Sequence, residues 1–499
     1  MADLLPQLLR GLMLAFQSGA VGGAVFAWLI APKAERGRTR RLTGLAALAA
    51  TLAAVATASA LLSNLMAVLD LSLTEAVGAE FVRHYAAFAA AGLLAAWLCF
   101  RPGTPPLALV LAGAAMVAAS ATGGHASARL DGRTPLMAAD FLHQLAAGIW
   151  LGGIPFLLLA LRTPEGTVRI RICRRFSTLA ALCVAVLLVT ATALAYVHVG
   201  SWAGMVGSDF GARATVKASL LGVLLLLGLG NLLAGPRLDQ AAPLVRLPSF
   251  AIAEMGLGLA VLMIAASLAS QPPPAGLPGQ VMPPAELLAQ MLPHQWPRLS
   301  AAIPIVSGSF EDHAWAEMTH HLSGLMVLSM GVLAFLRPLP GFAWARHWPL
   351  LFLAIGIGIA AVLSDPDSWP WGPNGFWGKP GDLEVIEHRL AAGLVVVFGL
   401  SEWAVQTGIQ RRRAAALVFP LACWLGGMML MTHSHTNMDP RIGLYVHISH
   451  MTMALLGILA GAGRWIELSA DERASRLAGR LWPLALALVG VLLILYREV

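Results

Sequence analysis

The stretch LTGLAALAATLAAVATASALLSNLMA, residues 42–67, contains no charged side chain and is long enough to cross a bilayer as one helix. Similar apolar runs recur along all 499 residues, of which 58% are hydrophobic and 12% charged. Soluble domains carry about 25% charged residues, so most of this chain is solvated by lipid. Because the runs are too long for barrel strands, the sequence predicts an all-α, polytopic helical integral membrane protein.

Fourteen membrane spans are predicted from these runs. They are residues 8–31, 42–67, 84–100, 105–124, 136–161, 176–198, 213–235, 248–269, 319–336, 348–363, 387–407, 414–431, 444–463 and 481–497. The first span has an apolar core longer than that of a signal peptide, so we expect a retained helix. A proline-rich interval follows the eighth span. The sequence therefore predicts an eight-helix domain (1–270), an outer linker (271–318) and a six-helix, His- and Met-rich domain (319–499).

Basic residues indicate the orientation of these helices. Loops on one side, including KAERGRTRR (33–41) and RTPEGTVRIRICRR (162–175), hold two thirds of the 33 Lys and Arg residues. Short loops rich in Lys and Arg face the cytoplasm, which predicts that both termini lie outside. The net charge of +7 follows from this bias. We therefore expect the lipid bilayer, and not nucleic acid, as a partner.

Histidine is distributed very unevenly on this topology, with only His347 on the cytoplasmic side. The outer histidines are His84, His125, His143, His198, His294, His313, His320, His321, His388, His433, His435, His447 and His450. The segment MTHSHTNMDPRIGLYVHISHM (431–451) alone contains four histidines and three methionines. Histidine is mostly neutral at pH 7, so charge does not explain the bias. Imidazoles gathered in this way predict a metal or haem site outside the cytoplasm.

Helical spacing selects the candidate ligands. His447, His450 and Met451 share one helix face at i, i+3 and i+4, and Met318 is paired with His321 at i, i+3. The predicted metal ligands are His143, His198, Met318, His320, His321, His388, His433, His435, His447, His450 and Met451. Nitrogen donors beside thioether sulfur favour copper, above all Cu(I).

Carboxylates and thiols add to this picture. Asp140 lies one turn before His143, where its carboxylate could orient the ring. Zinc is an alternative metal where histidine meets carboxylate, around Glu384, Glu387 and His388. The four cysteines lie in spans or on the cytoplasmic side, and no CxxC occurs, so neither disulfides nor a thiolate metal site is predicted.

Three segments resemble a known family. They are HQLAAGIWLGGIPFLLLALR (143–162), RRFSTLAALCVAVLLVTATALAYVHVGSW (174–202) and GARATVKASLLGVLLLLGLGN (211–231). Together they resemble the copper-resistance protein D (CopD) domain: a His near the head of a helix, a W-x-G-G turn, a basic-Arg-Phe-Ser entry to the next span, and a Lys-containing span ending in Asn. The matching residues are His143, Trp150, Gly152, Gly153, Arg175, Phe176, Ser177, Lys217 and Asn231.

The resemblance implies a bacterial inner-membrane protein that imports copper from the periplasm, beside a periplasmic copper carrier of the CopC type. It extends over the eight-span half, and no fused carrier domain is expected at either end. The six-span half does not resemble the family, so its ligands rest on residue chemistry alone. No motif for hydrolysis, nucleotide binding or phosphoryl transfer is present, and we expect a transporter and not an enzyme.

Two other functions fit parts of the same pattern. A membrane protein of the cytochrome b kind would hold haem b between histidines on facing helices, with His388, His447 or His450 as ligands. A structural or sensory membrane protein would use its outer histidines to report pH. Copper is the expected cargo, and haem b is the alternative cofactor.

Overall fold

The computed structural model describes residues 4–162, 166–234, 241–292, 296–302, 310–365, 367–368, 372–379, 383–432 and 440–497. Every regular element in these ranges is a helix. Twelve of the helices are long and apolar enough to cross a bilayer. Large apolar side chains on their outer faces, such as Leu52 and Val189, are exposed, as lipid contact requires. The predicted all-α polytopic membrane fold is confirmed.

The chain forms two compact units, and the first extends from Met1 to Met282. Its helices are α1 (Leu4–Leu29), α2 (Arg36–Leu69), α3 (Leu73–Ala76), α4 (Glu80–Phe100), α5 (Pro106–Ala121), α6 (Arg133–Ala160), α7 (Gly166–His198), α8 (Trp202–Val206), α9 (Asp209–Ala234) and α10 (Ala241–Leu268). Helix α1 is central, because it packs against α2, α5, α6 and α10.

The second unit begins at Pro283. Its helices are α11 (Pro284–Met291), α12 (Phe310–Leu336), α13 (Leu351–Ala354), α14 (Leu383–Gln406), α15 (Arg413–Ala416), α16 (Val418–Thr432), α17 (Pro440–Ser469) and α18 (Glu472–Ile494). A 3₁₀ helix, Ala343–Leu350, precedes α13, and a π-helix, Ile355–Leu363, follows it. The predicted three-part division of the chain stays a prediction.

Two of the fourteen predicted spans differ from the structure. The predicted span 105–124 forms α5, which has 16 residues and is shorter than the others because Pro105 and Pro106 begin it and Gly123 follows its end. A helix of that length rises only about 24 Å, less than the hydrocarbon core. The predicted span 348–363 is not a regular α-helix, because it passes from 3₁₀ through α to π geometry.

Close backbone contact joins α1 to α6 in the first unit. A Cβ atom added at Gly152 would lie 1.8 Å from the Ser18 carbonyl oxygen, and one added at Gly22 would lie 2.3 Å from the Gly152 carbonyl carbon. Small residues allow membrane helices to approach in this way. The W-x-G-G segment is therefore not a turn, because α6 continues through it and Gly152 lies at the helix contact.

The second unit is built on α18, which packs against both α12 and α17. Gly490 of α18 sits against α12, where an added Cβ would lie 2.2 Å from the Leu328 nitrogen. Trp348, Phe419 and Trp482 form an aromatic cluster in the core, with ring centroids 5.5–5.8 Å apart. This packing places the start of α12 close to the end of α18.

Candidate metal-binding histidine pairs

One pair of imidazoles lies in the first unit, between a loop and a helix end. His198 is the last residue of α7, and His125 lies in the loop between α5 and α6. Their ring centroids are 6.0 Å apart at an interplanar angle of 61°. Phe210 covers the pair from α9, with its ring 5.7 Å from His125 and 6.4 Å from His198. The pair lies at the end of α7 opposite the arginines near its start.

Both imidazoles of this pair have a buried nitrogen without a hydrogen-bond partner among the described residues. These atoms are Nε2 of His125 and Nδ1 of His198. A buried polar atom left unpaired costs about 1–3 kcal/mol, so such atoms call for an explanation. A metal–nitrogen bond is about 2.0 Å long, so two imidazoles on opposite sides of one ion have centroids roughly 6 Å apart. The observed separation fits a shared ion.

The electrostatics of His125 also suit a metal ligand. Burial lowers the pKa of His125. A hydrogen bond to the Leu268 backbone raises this pKa, and the Arg10 guanidinium lowers it further, so the net shift is downward. The ring is therefore held neutral, which is the form that ligates a metal.

His143 lies deeper in the first unit, within α6. Its Nδ1 is 3.0 Å from Thr190 Oγ1, and that hydroxyl donates its single proton to the Val186 carbonyl, 2.7 Å away. His143 Nδ1 must therefore donate to Thr190, which leaves the lone pair of the neutral ring on Nε2. Metal-binding histidines are commonly held in this way.

The polar surroundings of His143 come from α6 and α9. Asp140 Oδ2 accepts a hydrogen bond of 3.0 Å from Gln144 Nε2. The Lys217 ammonium is close enough to act electrostatically on both Asp140 and His143. Asp140 thus bonds to Gln144, and its predicted role in orienting His143 stays a prediction.

A second pair of imidazoles lies in the second unit, across α12 and α17. The ring centroids of His320 and His450 are 6.4 Å apart. Each Nδ1 donates to a carbonyl of its own helix at 2.7 Å, His320 to Ala316 and His450 to Val446. Tyr496 stacks on His320 at 3.9 Å and meets His450 edge-on at 5.9 Å. Backbone and an aromatic ring therefore hold this pair.

His321 is tied to the backbone at both ring nitrogens. Nδ1 accepts a hydrogen bond of 2.7 Å from the Arg298 N–H, and Nε2 donates to the Tyr496 carbonyl at 2.9 Å. These bonds link three separate segments of the second unit. Ligation of a metal by His321 would require one of them to break, and its predicted metal role stays a prediction.

His388 belongs to a network that holds the loop before α14. His388 Nδ1 lies 2.9 Å from Asp365 Oδ1, and Arg389 Nη1 lies 2.8 Å from Asp365 Oδ2. Burial raises the pKa of Asp365, but bonds from His388 and Ser364 and the charge of Arg389 outweigh burial, so this pKa is lowered. Carboxylate–histidine contact of this kind orients a ring for a metal.

The remaining predicted ligands are placed in three ways. Met318 and Met451 are buried in α12 and α17. His447 lies in α17, one turn before His450 and Met451. His433 and His435 fall outside the described residues, as do the side chains of Glu384 and Glu387. Their metal roles stay predictions.

The described residues pair histidines but do not assemble larger clusters. Within them, no group of three or more His, Cys, Asp and Glu side chains is arranged to hold a metal. Both pairs join residues far apart in the sequence, which helical spacing cannot reveal. The predicted grouping of His447 with His450 stays a prediction, and the contact of His450 with His320 is one that helical spacing could not show. His125 was one of the predicted outer histidines but had no periodic partner, and only its position between the end of α5 and the start of α6 could have marked it.

The described residues define the class of protein: a multi-pass, all-α membrane protein with two pairs of neighbouring imidazoles. Residues 170–268, from α7 to the end of α10, match the family model Copper resistance protein D. The Copper transport protein CutJ of Bacillus subtilis (strain 168) is 33% identical over 170 residues, which are 33% of this chain and 30% of CutJ. The chain thus spans under a third of this curated relative. No solved structure matches it.

The family match and the predicted resemblance overlap in part. The match covers α9 and α10 and includes His198, Phe210 and Lys217, and it begins after His143 and Gly152. The resemblance is therefore confirmed over the segments that follow residue 170. Its extension to the whole eight-span half stays a prediction.

Proposed function

We propose that this protein transports copper across the bacterial inner membrane, taking it from the periplasm through the first unit. The observation that carries the proposal is the pair His125 and His198, whose rings lie 6.0 Å apart with a buried, unpartnered nitrogen on each. A copper ion between the rings would satisfy both nitrogens at once. The transport name of CutJ and the family match over α7–α10 support this cargo.

Copper suits two imidazoles better than the other biological metals do. Zinc takes four ligands in structural sites and at least three protein ligands in catalytic ones. Calcium and magnesium require oxygen. Cu(I) has a filled d shell and accepts two nitrogen donors in a line. We therefore propose Cu(I) at His125 and His198, with Phe210 excluding water from the ion.

His143 is the next donor that we propose on the route. Its Nδ1 is held by Thr190, so the Nε2 lone pair is the atom that would receive copper. A transport site must release what it binds, and a single imidazole binds more weakly than two. The Lys217 charge near His143 opposes a stable cationic complex there, which favours onward passage.

On the proposed orientation, both termini and the His125–His198 pair face the periplasm. Arginines near the start of α7 would then face the cytoplasm. A separate copper carrier of the CopC type would deliver the ion to the pair. The predicted ligands of the second unit, among them His320 and His450, would form a secondary set of copper contacts.

Haem b is the alternative cofactor, and the second unit offers the only described histidines paired across two helices near its core. The ring of Tyr496 lies against both His320 and His450. A porphyrin between the two imidazoles would have to displace that ring. This packing favours copper over haem for the protein as a whole.

Elemental analysis and visible spectroscopy of the purified protein test the proposal together. We expect about one tightly bound copper per chain in the wild type after copper loading, and no Soret band. The variant His125→Ala/His198→Ala should lose that copper, and cells that express it should lose copper accumulation. The matched control His313→Ala/His347→Ala removes two imidazoles that lie outside both pairs and should retain it.

Three results would overturn the proposal. One is a Soret band with sharp reduced bands in a protein without copper. Another is copper retained by the His125→Ala/His198→Ala variant at the wild-type level. The third is equal copper accumulation in cells with the variant and the wild type at matched expression.

A further inference from the structure

A cavity of about 530 Å³ opens at the basic end of the second unit. It lies where α12, α14 and α17 end and α18 begins, beside the 3₁₀ helix Ala343–Leu350. The side chains that decide its chemistry are Arg337, Arg346, Arg464, Gln406 and Glu467. Three cations thus face one carboxylate. The copper proposal makes no use of this cavity.

The acids near the cavity are already committed to Arg464. Its Nη1 lies 2.7 Å from Glu467 Oε2, and its Nη2 lies 2.8 Å from Glu402 Oε1. Glu467 also accepts a hydrogen bond of 2.6 Å from Trp482 Nε1, and Glu402 accepts one from Gln406. Both carboxylates form their ion pairs with Arg464, although their charges also act on Arg337. Three arginines beside two glutamates leave one net positive charge at the cavity.

Arg337 and Arg346 are the two arginines of the cavity that form no direct ion pair among the described residues. Neither forms an ion pair with any described residue. Arg337 Nη1 donates to Gln406 Oε1, which is neutral, and Arg346 Nε lies 3.5 Å from His347 Nε2. Burial and the charge of Arg464 lower the pKa of Arg337, and they outweigh the opposite effect of the Glu467 and Glu402 charges. An anion that enters the cavity would be attracted by both of these lining arginines.

The position of the cavity indicates where the anion comes from. It lies at helix ends, next to Trp344, whose ring is 59% exposed and belongs to the same 3₁₀ helix as Arg346. Exposed tryptophan at helix ends marks the headgroup level of a membrane. Basic pockets between helix ends on the cytoplasmic side bind anionic headgroups, and the arginine fork matches phosphate oxygens.

We propose that this cavity binds a phosphate group, with Arg337 and Arg346 as its ligands and an anionic phospholipid headgroup as the main source. Arg464 closes the floor of the cavity through its bonds to Glu402 and Glu467. Gln406 fixes one arm of Arg337 and leaves its other N–H groups for phosphate. Free phosphate shares this chemistry and is the second source that the experiment separates.

Native mass spectrometry of the detergent-purified chain tests the site. We expect the wild type to bind added phosphatidylglycerol at least about tenfold better than phosphatidylcholine, because two arginines contact the phosphate diester of a net anionic headgroup. The variant Arg337→Gln/Arg346→Gln should bind both lipids equally. The control Arg411→Gln/Arg412→Gln removes two exposed arginines of the same unit that do not line the cavity, and it should keep the wild-type preference.

A thermal-unfolding arm with inorganic phosphate identifies the source. If phosphate stabilises the wild type but not the Gln variant, while the two lipids bind alike, the site holds free phosphate and the anion proposal stands. Should neither phosphatidylglycerol nor phosphate distinguish the wild type from the Gln variant, the proposal is wrong. An equal loss of preference in the Arg411/Arg412 control would also contradict it.

A charge-retaining variant guards against simple unfolding. Arg337→Lys/Arg346→Lys keeps both cations and should keep a preference for phosphatidylglycerol even if the Gln variant fails to fold. A folded Lys variant without any preference, together with an unfolded Gln variant, would refute the site.

Discussion

The two imidazole pairs have nearly the same spacing but different surroundings. In the first unit, His125 and His198 each bury a nitrogen that has no hydrogen-bond partner among the described residues, and Phe210 covers their rings. In the second unit, His320 and His450 each bond to their own helix backbone and meet the ring of Tyr496. The spacing of the rings is therefore common to both pairs, and the buried nitrogens of His125 and His198 are the reason that we propose copper at the first pair.

The largest expected effect is on the stability of the second unit. Tyr496 is 1% exposed and stacks on His320, so Tyr496→Ala should lower the free energy of unfolding by about 3–5 kcal/mol, as for other buried aromatic residues. Thermal unfolding in detergent, followed by circular dichroism, measures this. Tyr196→Ala is the matched control, because Tyr196 is 81% exposed and should change little. If Tyr496→Ala instead loses copper strongly and keeps its stability, then His320 and His450 bind the copper and are not held by packing.

The second largest effect that we expect is a difference in copper affinity between variants of the two pairs. His125→Ala/His198→Ala removes both proposed ligands and should raise the copper Kd by about 100-fold or more, beyond the loss seen for outer-shell partners. His320→Ala/His450→Ala should raise it by less than about threefold, because that pair is held by packing. Competition with a Cu(I) chelator gives both values. Equal losses in the two double variants would show that the pairs act alike.

The contact between α1 and α6 in the first unit gives a smaller effect. Gly152→Ala places a Cβ 1.8 Å from the Ser18 carbonyl oxygen, so α1 and α6 must separate at a cost of about 1–3 kcal/mol. Gly222→Ala in α9 is the control, since nothing lies within 4 Å of its added Cβ. Thermal unfolding of the two variants compares them directly. If the two variants unfold at the same temperature, α1 and α6 do not pack as closely as the structure shows.

Thr190→Val tests whether His143 lies on the copper route. The change removes the acceptor of His143 Nδ1, and loss of such a partner weakens a metal ligand by about tenfold or more. Copper accumulation in cells should therefore fall by about tenfold, while the purified protein keeps copper at His125 and His198. The control is Thr192→Val, which lies about half a helical turn from Thr190 on the exposed face of α7 and should leave transport normal. Normal accumulation in Thr190→Val would remove His143 from the route.

Much of the fold was predictable, because hydrophobic length in a bilayer leaves few alternatives to a helix. Twelve spans follow from it directly. The span 105–124 was predicted too long, since the prolines and glycines at its ends end α5 early. The W-x-G-G segment was mistaken for a turn because glycine in a membrane helix serves close packing as well as bends.

The candidate site was less predictable than the fold. His198 was selected from the sequence, but its neighbour His125 was not, because the contact depends on how α7 meets the loop after α5. The i, i+3 rule found His447 and His450 on one helix, whereas the observed pairs cross between elements. Hydrogen bonds also decide which ring nitrogens are free to bind a metal. In His321 both nitrogens bond to the backbone of segments that are distant in the sequence, and helical spacing does not predict such contacts.

X-ray absorption at the copper edge of the loaded protein shows directly whether His125 and His198 hold the ion. We predict two imidazole nitrogens at about 2.0 Å in the wild type and in His320→Ala/His450→Ala, and loss of that signal in His125→Ala/His198→Ala. A copper ion with sulfur neighbours, or an unchanged imidazole signal in the His125→Ala/His198→Ala variant, would show that His125 and His198 do not bind the copper.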